Sequence, residues 1–370
     1  MGLNLRYYSF RYSGKYILHI GGSALMTALL LYAVFHETSL SSFLDLIQGV
    51  KYEGILLYVL LSLAAICFRA IRYRWIVGAA SETEQIPGLA KFVVVTAIRN
   101  TFVDLLPARL GEASFLYVLN RFGVPLTIGL TTFALCTVLD IIVLFALFVF
   151  LALAGTMTPS GQSSLHLPSD LNITQLNRGI LLSCLLVIAA AVCLSIVLAC
   201  LDRFLAYCGE RLNNDKNCQT SEAGLSRIRS RTAAYCLEVA RELRVIKERK
   251  IYTNLVLITV LLRCAKYVSL YLLLLSTVAQ WGIRASDISP LIATTAFVFA
   301  ESSASLPMSG IMGFGAYEGV WSLVFSFSGV ALPSIQSVIL VIHLITQVVG
   351  YSLGFLALAI FALWGARRER

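Results

Sequence analysis

The sequence predicts an all-α polytopic membrane protein with about six full spans and two opposed re-entrant helical hairpins, arranged as an inverted repeat. Three observations support this. The 370-residue chain is 58% hydrophobic and only 13% charged, whereas soluble domains carry about 25% charged residues. Its apolar runs are long enough for membrane-crossing helices. Two stretches, 105–113 and 305–319, place proline, glycine and glutamate inside this apolar background.

Six apolar runs can cross a hydrocarbon core of about 30 Å at 1.5 Å per residue. These predicted spans are 17–35, 54–78, 125–154, 179–201, 251–279 and 335–363. Four further runs flank the two proline-containing stretches and are too short or too broken to span alone. They are 89–103, 113–120, 288–305 and 317–330.

Basic residues set the predicted orientation, because cytoplasmic loops are enriched in Lys and Arg. The N-terminal segment, the RAIRYRW stretch at 69–75, the loop 202–250 and the C-terminal ARRER are all basic, which places both termini in the cytoplasm. The connections 36–53, 155–178 and 280–290 each carry one basic residue and are predicted to lie outside. The spans alternate correctly only if 89–121 enters and leaves on the cytoplasmic side, and 288–330 on the outer side.

The chain therefore divides into two halves of opposite orientation. Residues 1–155 form the first repeat, 156–178 an outer loop, and 179–370 the second repeat, which includes the basic cytoplasmic loop 202–250. Each half contains two spans, a re-entrant hairpin (89–121 or 288–330) and a third span. Inverted repeats with broken helices near the midplane are typical of secondary transporters. The alternative is that 89–121 and 288–330 contain ordinary spans.

Proline and glycine mark the predicted breaks in the two hairpins. Proline ends a helix because it lacks an N–H, and glycine turns the chain where other residues are strained. The break residues are Pro107, Gly111, Pro307, Gly313 and Gly315. Irregular backbone at membrane depth is tolerated only inside protein or beside a water-filled cavity, so two opposed breaks predict a polar cavity between them. The second stretch has the longer spacing from proline to glutamate and is expected to be the more mobile.

Eleven ionisable residues fall at predicted membrane depth and form the candidate cavity and substrate-binding set. They are Arg69, Arg72, Arg99, Asp104, Arg109, Glu112, Asp140, Arg263, Lys266, Glu301 and Glu318. A charge at mid-membrane is costly and defaults to a functional hypothesis. The guanidinium fork suits phosphate, and the basic residues expected to hold a headgroup phosphate are Arg69, Arg72, Arg109, Arg263 and Lys266. The acidic members would balance that charge and could bind a cationic headgroup or a coupling proton.

Structural alternatives exist for several of these residues. Asp140 is expected to pair with a hairpin arginine. Arg72 and Arg74 could instead extend to the cytoplasmic surface. Glu112 and Glu318 each follow a glycine where a returning half-helix should begin, so they could simply cap free amides there.

The basic loop 202–250 has a helical periodicity. Apolar or weakly polar residues recur at steps of three and four, at Leu225, Ile228, Thr232, Tyr235, Val239, Leu243 and Ile246. This pattern predicts an amphipathic helix with a basic face, on the membrane surface or packed across the bundle. A solvated connector is the alternative.

Catalytic and metal-binding motifs are missing from the sequence. It contains no HExxH, Walker loop, CxxC or GxSxG, and its four histidines are scattered. We therefore predict no catalytic residues, no metal and no cofactor, and no nucleic-acid partner.

Four segments carry a resemblance to a known family. They are IRYRW (71–75), Asn100 followed by LLPARLGEASFLYVL (105–119), TVLDII (137–142) and LPMSGIMGFGAYEG (306–319). In this order they resemble the lysylphosphatidylglycerol synthase transmembrane region, or flippase-domain, family, which includes the membrane half of the multiple-peptide-resistance factor and stand-alone relatives. The resemblance covers essentially the whole chain.

The resemblance implies a lipid flippase or scramblase of the bacterial inner membrane, with re-entrant helices around a central cavity. Its substrate would be an anionic or zwitterionic phospholipid, or a polyprenyl-phosphate-linked lipid. No soluble aminoacyl-transferase domain follows, so a transporter rather than an enzyme is expected, and a homo-oligomer is compatible with it. The alternatives are an intramembrane enzyme or accessory subunit acting on a lipid-linked carrier, and an ion or small-solute transporter.

Overall fold

A computed structural model of the chain describes residues 25, 27–29, 32, 40–81, 86–106, 111–157, 202–211, 223–304, 314–327 and 335–368. Several predictions fall outside these residues. They include the span 179–201, nearly all of the outer loop 156–178 and most of the span 17–35. Among the predicted site and break residues, Pro107, Arg109, Pro307 and Gly313 also lie outside.

The described chain is helical, with turns between the helices. The elements are α1 (Leu40–Gln48), α2 (Tyr52–Ala80), α3 (Leu89–Leu105), α4 (Glu112–Arg121), α5 (Leu126–Met157), α6 (Ala223–Glu248), α7 (Tyr252–Val278), a 3₁₀ turn (Ala279–Trp281), α8 (Pro290–Ala304), α9 (Ala316–Phe327) and α10 (Ile335–Arg368). Residues 202–211 are also helical. The prediction of an all-α chain is confirmed for this part of the sequence.

Four helices are long and apolar enough to cross a membrane. They cover Tyr52–Ala80, Leu126–Leu151, Tyr252–Trp281 and Ile335–Gly365, and they match four of the six predicted spans. The protein is therefore a multi-pass membrane protein.

Two pairs of short helices correspond to the predicted hairpins. In the first hairpin (α3 and α4), Lys91 at the start of α3 lies over the ring of Phe122 just past α4, and Arg99 near the end of α3 contacts Glu112 at the start of α4. In the second (α8 and α9), Ser303 near the end of α8 donates a hydrogen bond to the carbonyl of Ala316, and Phe297 further back in α8 packs on Trp321 further along α9, with centroids 4.5 Å apart. Each pair is therefore antiparallel.

The returning helices of both hairpins are too short to cross a bilayer. The 10 residues of α4 extend about 15 Å, and the 12 residues of α9 about 18 Å, against a core of about 30 Å. Their insertion as re-entrant elements from opposite faces remains a prediction.

Two apolar clusters divide the bundle along its length, and each contains one hairpin. The first cluster joins α3 and α4 to the end of α2, the first half of α5, part of α6 and the end of α10. The second joins α8 and α9 to α1, the end of α7 and the start of α10. Between them, α2, α5, α7 and α8 bring Arg72, Asp140, Arg263 and Glu301 to one level. We call this level, together with the charged side chains of Arg69, Arg99 and Lys266 beside it, the charged layer.

The amphipathic helix predicted in the basic loop is confirmed as α6. Val239, Leu243 and Ile246 are buried in the first cluster, whereas Tyr235 is exposed. The helix packs against α2 and α5, and Arg249 just past its end donates a hydrogen bond to the carbonyl of Gly78 in α2. α6 therefore belongs to the helical bundle and is not a solvated connector.

Candidate functional site

The centre of the charged layer is a buried ion pair between two spans. Arg72 of α2 donates two hydrogen bonds to Asp140 of α5, with Nη1–Oδ1 and Nη2–Oδ2 distances of 2.7 and 3.0 Å. The Arg72 side chain is 1% exposed, and its Nη1 also donates to Thr259 of α7 over 3.0 Å. The bidentate geometry is the strong form of this contact, so the pair ties three spans together at one level.

The first hairpin carries its own ion pair where α3 meets α4. Arg99 donates from Nε and Nη2 to the two carboxylate oxygens of Glu112, both over 2.6 Å. Both side chains are largely buried. The carboxylate of Glu112 is thus used by Arg99, and α4 begins at Gly111 without a side-chain cap.

Glycine is required at the tip of this hairpin. A Cβ atom at Gly111 would lie 2.1 Å from the carbonyl carbon and oxygen of Phe102 and 2.2 Å from the backbone nitrogen of Val103. The start of α4 therefore packs directly on the backbone of α3, an approach that a larger residue would prevent.

Arg69 lies beside this pair and contacts an amide. Its Nη1 donates to Oδ1 of Asn100 over 2.6 Å, and its buried Nε has no hydrogen-bond partner. Within the described residues, no carboxylate lies within ion-pair distance of Arg69. The neighbouring guanidinium groups of Arg99 and Arg72 add positive charge around it, and the carboxylate of Asp140 is one negative neighbour beyond ion-pair distance. This arrangement suits a bound anion.

A second network connects α7 with the end of α8. Arg263 Nη1 and Lys266 Nζ lie 2.7 and 3.0 Å from Oε1 of Glu301. Tyr267 donates its hydroxyl to Oε2 of Glu301 over 2.8 Å and accepts from Arg263 over 3.2 Å. Two cations thus share one carboxylate, and this end of the second hairpin is fixed to α7.

The second hairpin begins its returning helix with a different use of glutamate. Glu318 is fully buried, and its Oε2 accepts the backbone N–H of Gly315 over 2.7 Å. Its other oxygen contacts Nδ1 of His343 in α10. Gly315 has φ +120°, a backbone conformation that favours glycine. Glu318 therefore caps α9 and ties it to a span.

The contacts of His343 indicate its tautomer in this arrangement. Its Nε2 lies 3.0 Å from the side-chain nitrogen of Gln347. An amide nitrogen can only donate, so Nε2 accepts, and the ring proton on Nδ1 is directed at Glu318. The ring also stacks on Phe314, with centroids 4.3 Å apart. The Glu318–His343 contact therefore joins the start of α9 to α10 inside the protein.

Several charged groups of the layer are accessible despite their depth. The side chains of Asp140, Glu301 and Lys266 are 25%, 26% and 38% exposed. Asp104, near the end of α3, is exposed, and its electrostatic neighbours include Lys266, His343, Arg69 and Arg99, from four different helices. Part of the charged layer is therefore accessible and is not sealed within the helical core.

The structure brings together most of the predicted cavity residues. Ten of the eleven are described, and nine of them contribute to the contacts above, with Asp104 near them in space. One pairing prediction was wrong. Asp140 binds Arg72 of the span α2 and not an arginine of a hairpin. The surface position considered for Arg72 is also wrong because the residue is buried. Arg74, two positions on, is exposed.

Sequence reasoning missed the neutral members of the networks. Each of them contacts a charged side chain or another member of the networks. They are Asn100, Thr259, Tyr267, His343 and Gln347. The available signal was the occurrence of polar side chains in apolar runs. His343 and Gln347 are four positions apart, on one face of a helix.

The fold and the charged layer together define a multi-pass α-helical membrane protein with two helical hairpins around buried ion pairs. The model of one family, described as the lysylphosphatidylglycerol synthase TM region, matches residues 18–354. The chain belongs to this family, and the resemblance drawn from its motifs is confirmed. A search of curated proteins found no match.

Proposed function

We propose that the protein is a lipid flippase or scramblase that moves a phosphate-containing headgroup through the charged layer, between the tips of two re-entrant hairpins. The acyl chains would remain in the bilayer. The observation that carries this proposal is the accessible set of charged side chains at mid-bundle. Ionisable groups at this depth are costly unless they line a pathway or site.

The placement of the hairpins supports the same function. Their apolar parts lie in different clusters, and the ends of α3 and α8 carry Arg99 and Glu301 into the charged layer. Two helix ends that meet a polar site from opposite directions are typical of alternating-access transporters. Opening either hairpin would then expose the site to one side of the membrane.

Arg69 is the proposed phosphate contact. The other described guanidinium groups of the layer, those of Arg72, Arg99 and Arg263, each bind a carboxylate. Arg69 donates to an amide, so an incoming phosphate need not displace a carboxylate. Arginine binds phosphate through parallel hydrogen bonds that lysine does not provide.

A transport assay tests the proposal. Purified protein is reconstituted in liposomes with fluorescent phosphatidylglycerol, phosphatidylethanolamine or a polyprenyl-phosphate lipid, and outer-leaflet fluorescence is bleached with dithionite. Wild-type protein is expected to make inner-leaflet lipid accessible faster than empty liposomes. Arg69→Gln should slow this at least tenfold, because a charge-assisted hydrogen bond contributes about 1.5–3 kcal/mol.

Arg74→Gln is the matched control, since Arg74 is on the same helix but exposed, and it should transport at the wild-type rate. Equal rates for the Arg69 and Arg74 variants would contradict the role of Arg69. If none of the three lipids moves faster than in empty liposomes, lipid transport itself is wrong. Chemical turnover of a lipid by the purified protein would favour an enzyme instead.

A further inference from the structure

Asp104 differs from the other described carboxylates of the candidate site. Those with hydrogen-bond partners in the protein are Glu112, Asp140, Glu301 and Glu318. Among the residues that the structure describes, none forms a hydrogen bond or an ion pair with Asp104, and its side chain is exposed. Asp104 is therefore the acidic counterpart of Arg69, whose guanidinium has no carboxylate within ion-pair distance in the described chain.

Asp104 lies one helical turn beyond the residue that binds Arg69. Arg69 donates to Oδ1 of Asn100 over 2.6 Å. Asn100 and Asp104 are four positions apart in α3, so they share one face of the helix and are about 6 Å apart along its axis. Arg69 is also among the side chains that act electrostatically on Asp104. One positive and one negative group are thus available within about one turn of α3.

The position of Asp104 in α3 is unfavourable for an anion. It is the second-last residue of the helix, and the C-terminal end of a helix carries partial negative charge, which favours cations. The side chains that act against this penalty include Lys266, His343, Arg69 and Arg99. A phosphate bound by Arg69 would compete for their positive field and bring a second anion close to Asp104. A ligand that also carries a positive charge removes this conflict.

Hydrogen-bond acceptors for an ammonium group are present around Asp104. An ionised carboxylate accepts on both of its oxygens. The hydroxyl of Tyr351 in α10 is an electrostatic neighbour of Asp104, and among the described residues it has no hydrogen-bond partner. A phenolic oxygen accepts as well as donates. Two helices therefore offer acceptors to a group that carries several N–H donors.

We propose that Asp104 binds the ammonium group of a zwitterionic headgroup whose phosphate is bound by Arg69. The substrate class is then a phospholipid with a primary ammonium group close to its phosphate, as in phosphatidylethanolamine. Its two charges match the two groups of the site, whereas phosphatidylglycerol brings the phosphate alone. This inference rests on the proposed function, in which Arg69 is the phosphate contact.

Lipid retention tests the headgroup preference without requiring transport. Full-length protein is released from nanodiscs that contain equal amounts of phosphatidylethanolamine and phosphatidylglycerol, and native mass spectrometry identifies the retained lipids. Wild-type protein should retain phosphatidylethanolamine in preference. Asp104→Asn keeps the size of the side chain but removes its charge. The ratio of retained phosphatidylethanolamine to phosphatidylglycerol should then fall about tenfold, as expected for the loss of one charge-assisted hydrogen bond.

Two further variants separate the charge of Asp104 from general effects. Asp104→Glu keeps the carboxylate and should keep most of the preference. Asp45→Asn removes an aspartate charge from an exposed position of α1 and should retain the two lipids in the wild-type ratio. A ratio that Asp104→Asn leaves unchanged, or that Asp45→Asn changes equally, would overturn the proposal. Wild-type protein that retains phosphatidylglycerol as well as phosphatidylethanolamine would overturn it too.

A soluble zwitterion could present the same two charges. Free phosphoethanolamine, added at the concentration of the lipid, should not displace phosphatidylethanolamine, because it lacks the acyl chains that bury apolar surface. Displacement at that concentration would assign the site to a small soluble ligand, and the lipid class would be wrong.

The liposome assay distinguishes this inference from the proposed function, when the fluorescent label is on an acyl chain and the headgroup is intact. Faster movement of phosphatidylethanolamine than of phosphatidylglycerol by wild type, but not by Asp104→Asn, supports both. Equal rates for the two lipids in wild type leave the flippase function standing and overturn selection by Asp104. Preferential retention of phosphatidylethanolamine without transport of any lipid overturns the flippase function and leaves the headgroup site.

Discussion

The two hairpins use glutamate in different ways at the start of the returning helix. In the first, Glu112 pairs with Arg99 of the preceding helix, so the ion pair closes the hairpin on itself. In the second, Glu318 accepts a backbone N–H of its own hairpin and contacts His343 of the span α10. Two similar sequence stretches therefore produce one internally paired hairpin and one that is tied to a neighbouring helix.

This difference predicts which contacts must change when each hairpin moves. The first hairpin can move with its Arg99–Glu112 pair intact, but Asn100 then separates from Arg69 of α2. The second cannot leave α10 without separating Glu318 from His343. The expectation from proline–glutamate spacing, that the second is the more mobile, remains a prediction that transport-state measurements can test.

The largest effect is expected from breaking the pair inside the first hairpin. Arg99→Ala leaves the carboxylate of Glu112 largely buried without its partner, which costs about 3 kcal/mol. Thermal unfolding in detergent measures the loss. The exchange Arg99→Glu/Glu112→Arg restores opposite charges and should recover much of the stability. If the exchanged protein is no more stable than Arg99→Ala, the pair is not what closes the hairpin.

The next effect concerns the glycine at each hairpin tip. Gly111→Ala places a Cβ 2.1 Å from the backbone of Phe102 and should cost about 2–3 kcal/mol. Gly315→Ala should cost about 1–3 kcal/mol, because its φ of +120° strains a residue that has a Cβ. Unfolding midpoints compare the two. Gly319→Ala, which has open space around it, serves as the control, and a loss there equal to that at Gly111 would contradict this ranking.

A smaller effect is expected when the charge of Glu318 is removed. Glu318→Gln keeps an oxygen for the N–H of Gly315 but weakens the contact with His343. The free energy of unfolding should fall by about 1–2 kcal/mol. The loss should be smaller than for Arg99→Ala, because Arg99 donates two hydrogen bonds to its carboxylate while His343 makes one contact with Glu318. Glu53→Gln, at an exposed position, is the control for unfolding measurements. A greater loss than Arg99→Ala would mean that the Glu318–His343 contact is the stronger of the two.

The smallest effect belongs to Glu242, a carboxylate of α6 that lies in neither hairpin and serves as a reference. Burial raises the pKa of Glu242, although its hydrogen bonds with Thr131 and Thr127 oppose this. A raised folded-state pKa stabilises the fold fully below the unfolded value of about 4.3, and that contribution is lost as pH rises through the folded pKa.

Glu242→Gln should therefore match wild type near pH 4 and be more stable at pH 7.5, by less than about 1 kcal/mol. Thermal unfolding at both pH values tests this. A variant that is less stable than wild type at pH 7.5 would show that the charged form of Glu242 supports α6.

Sequence patterns predicted the four described spans and the positions of the two pairs of short helices, because apolar length and the proline–glycine breaks are local properties. Sequence patterns could not predict which side chains contact each other across helices. Arg72 and Arg74 are two positions apart, and only the rotation of α2 decides that the first faces Asp140 while the second is exposed. The contact of His343 with Glu318 could not be predicted, because the residues around a lone histidine in an apolar run do not indicate a glutamate 25 positions away.

The Arg72–Asp140 pair has a consequence for biosynthesis. The two residues are separated by 68 positions, which take roughly 3–14 s to translate at about 5–20 residues per second. During that interval α2 has entered the membrane with an arginine whose carboxylate partner does not yet exist. An arginine opposes insertion by about 2.5–3.5 kcal/mol at a span centre and by less toward the end of a span, where Arg72 lies in α2. Pairing with Asp140 compensates this cost when α5 joins α2.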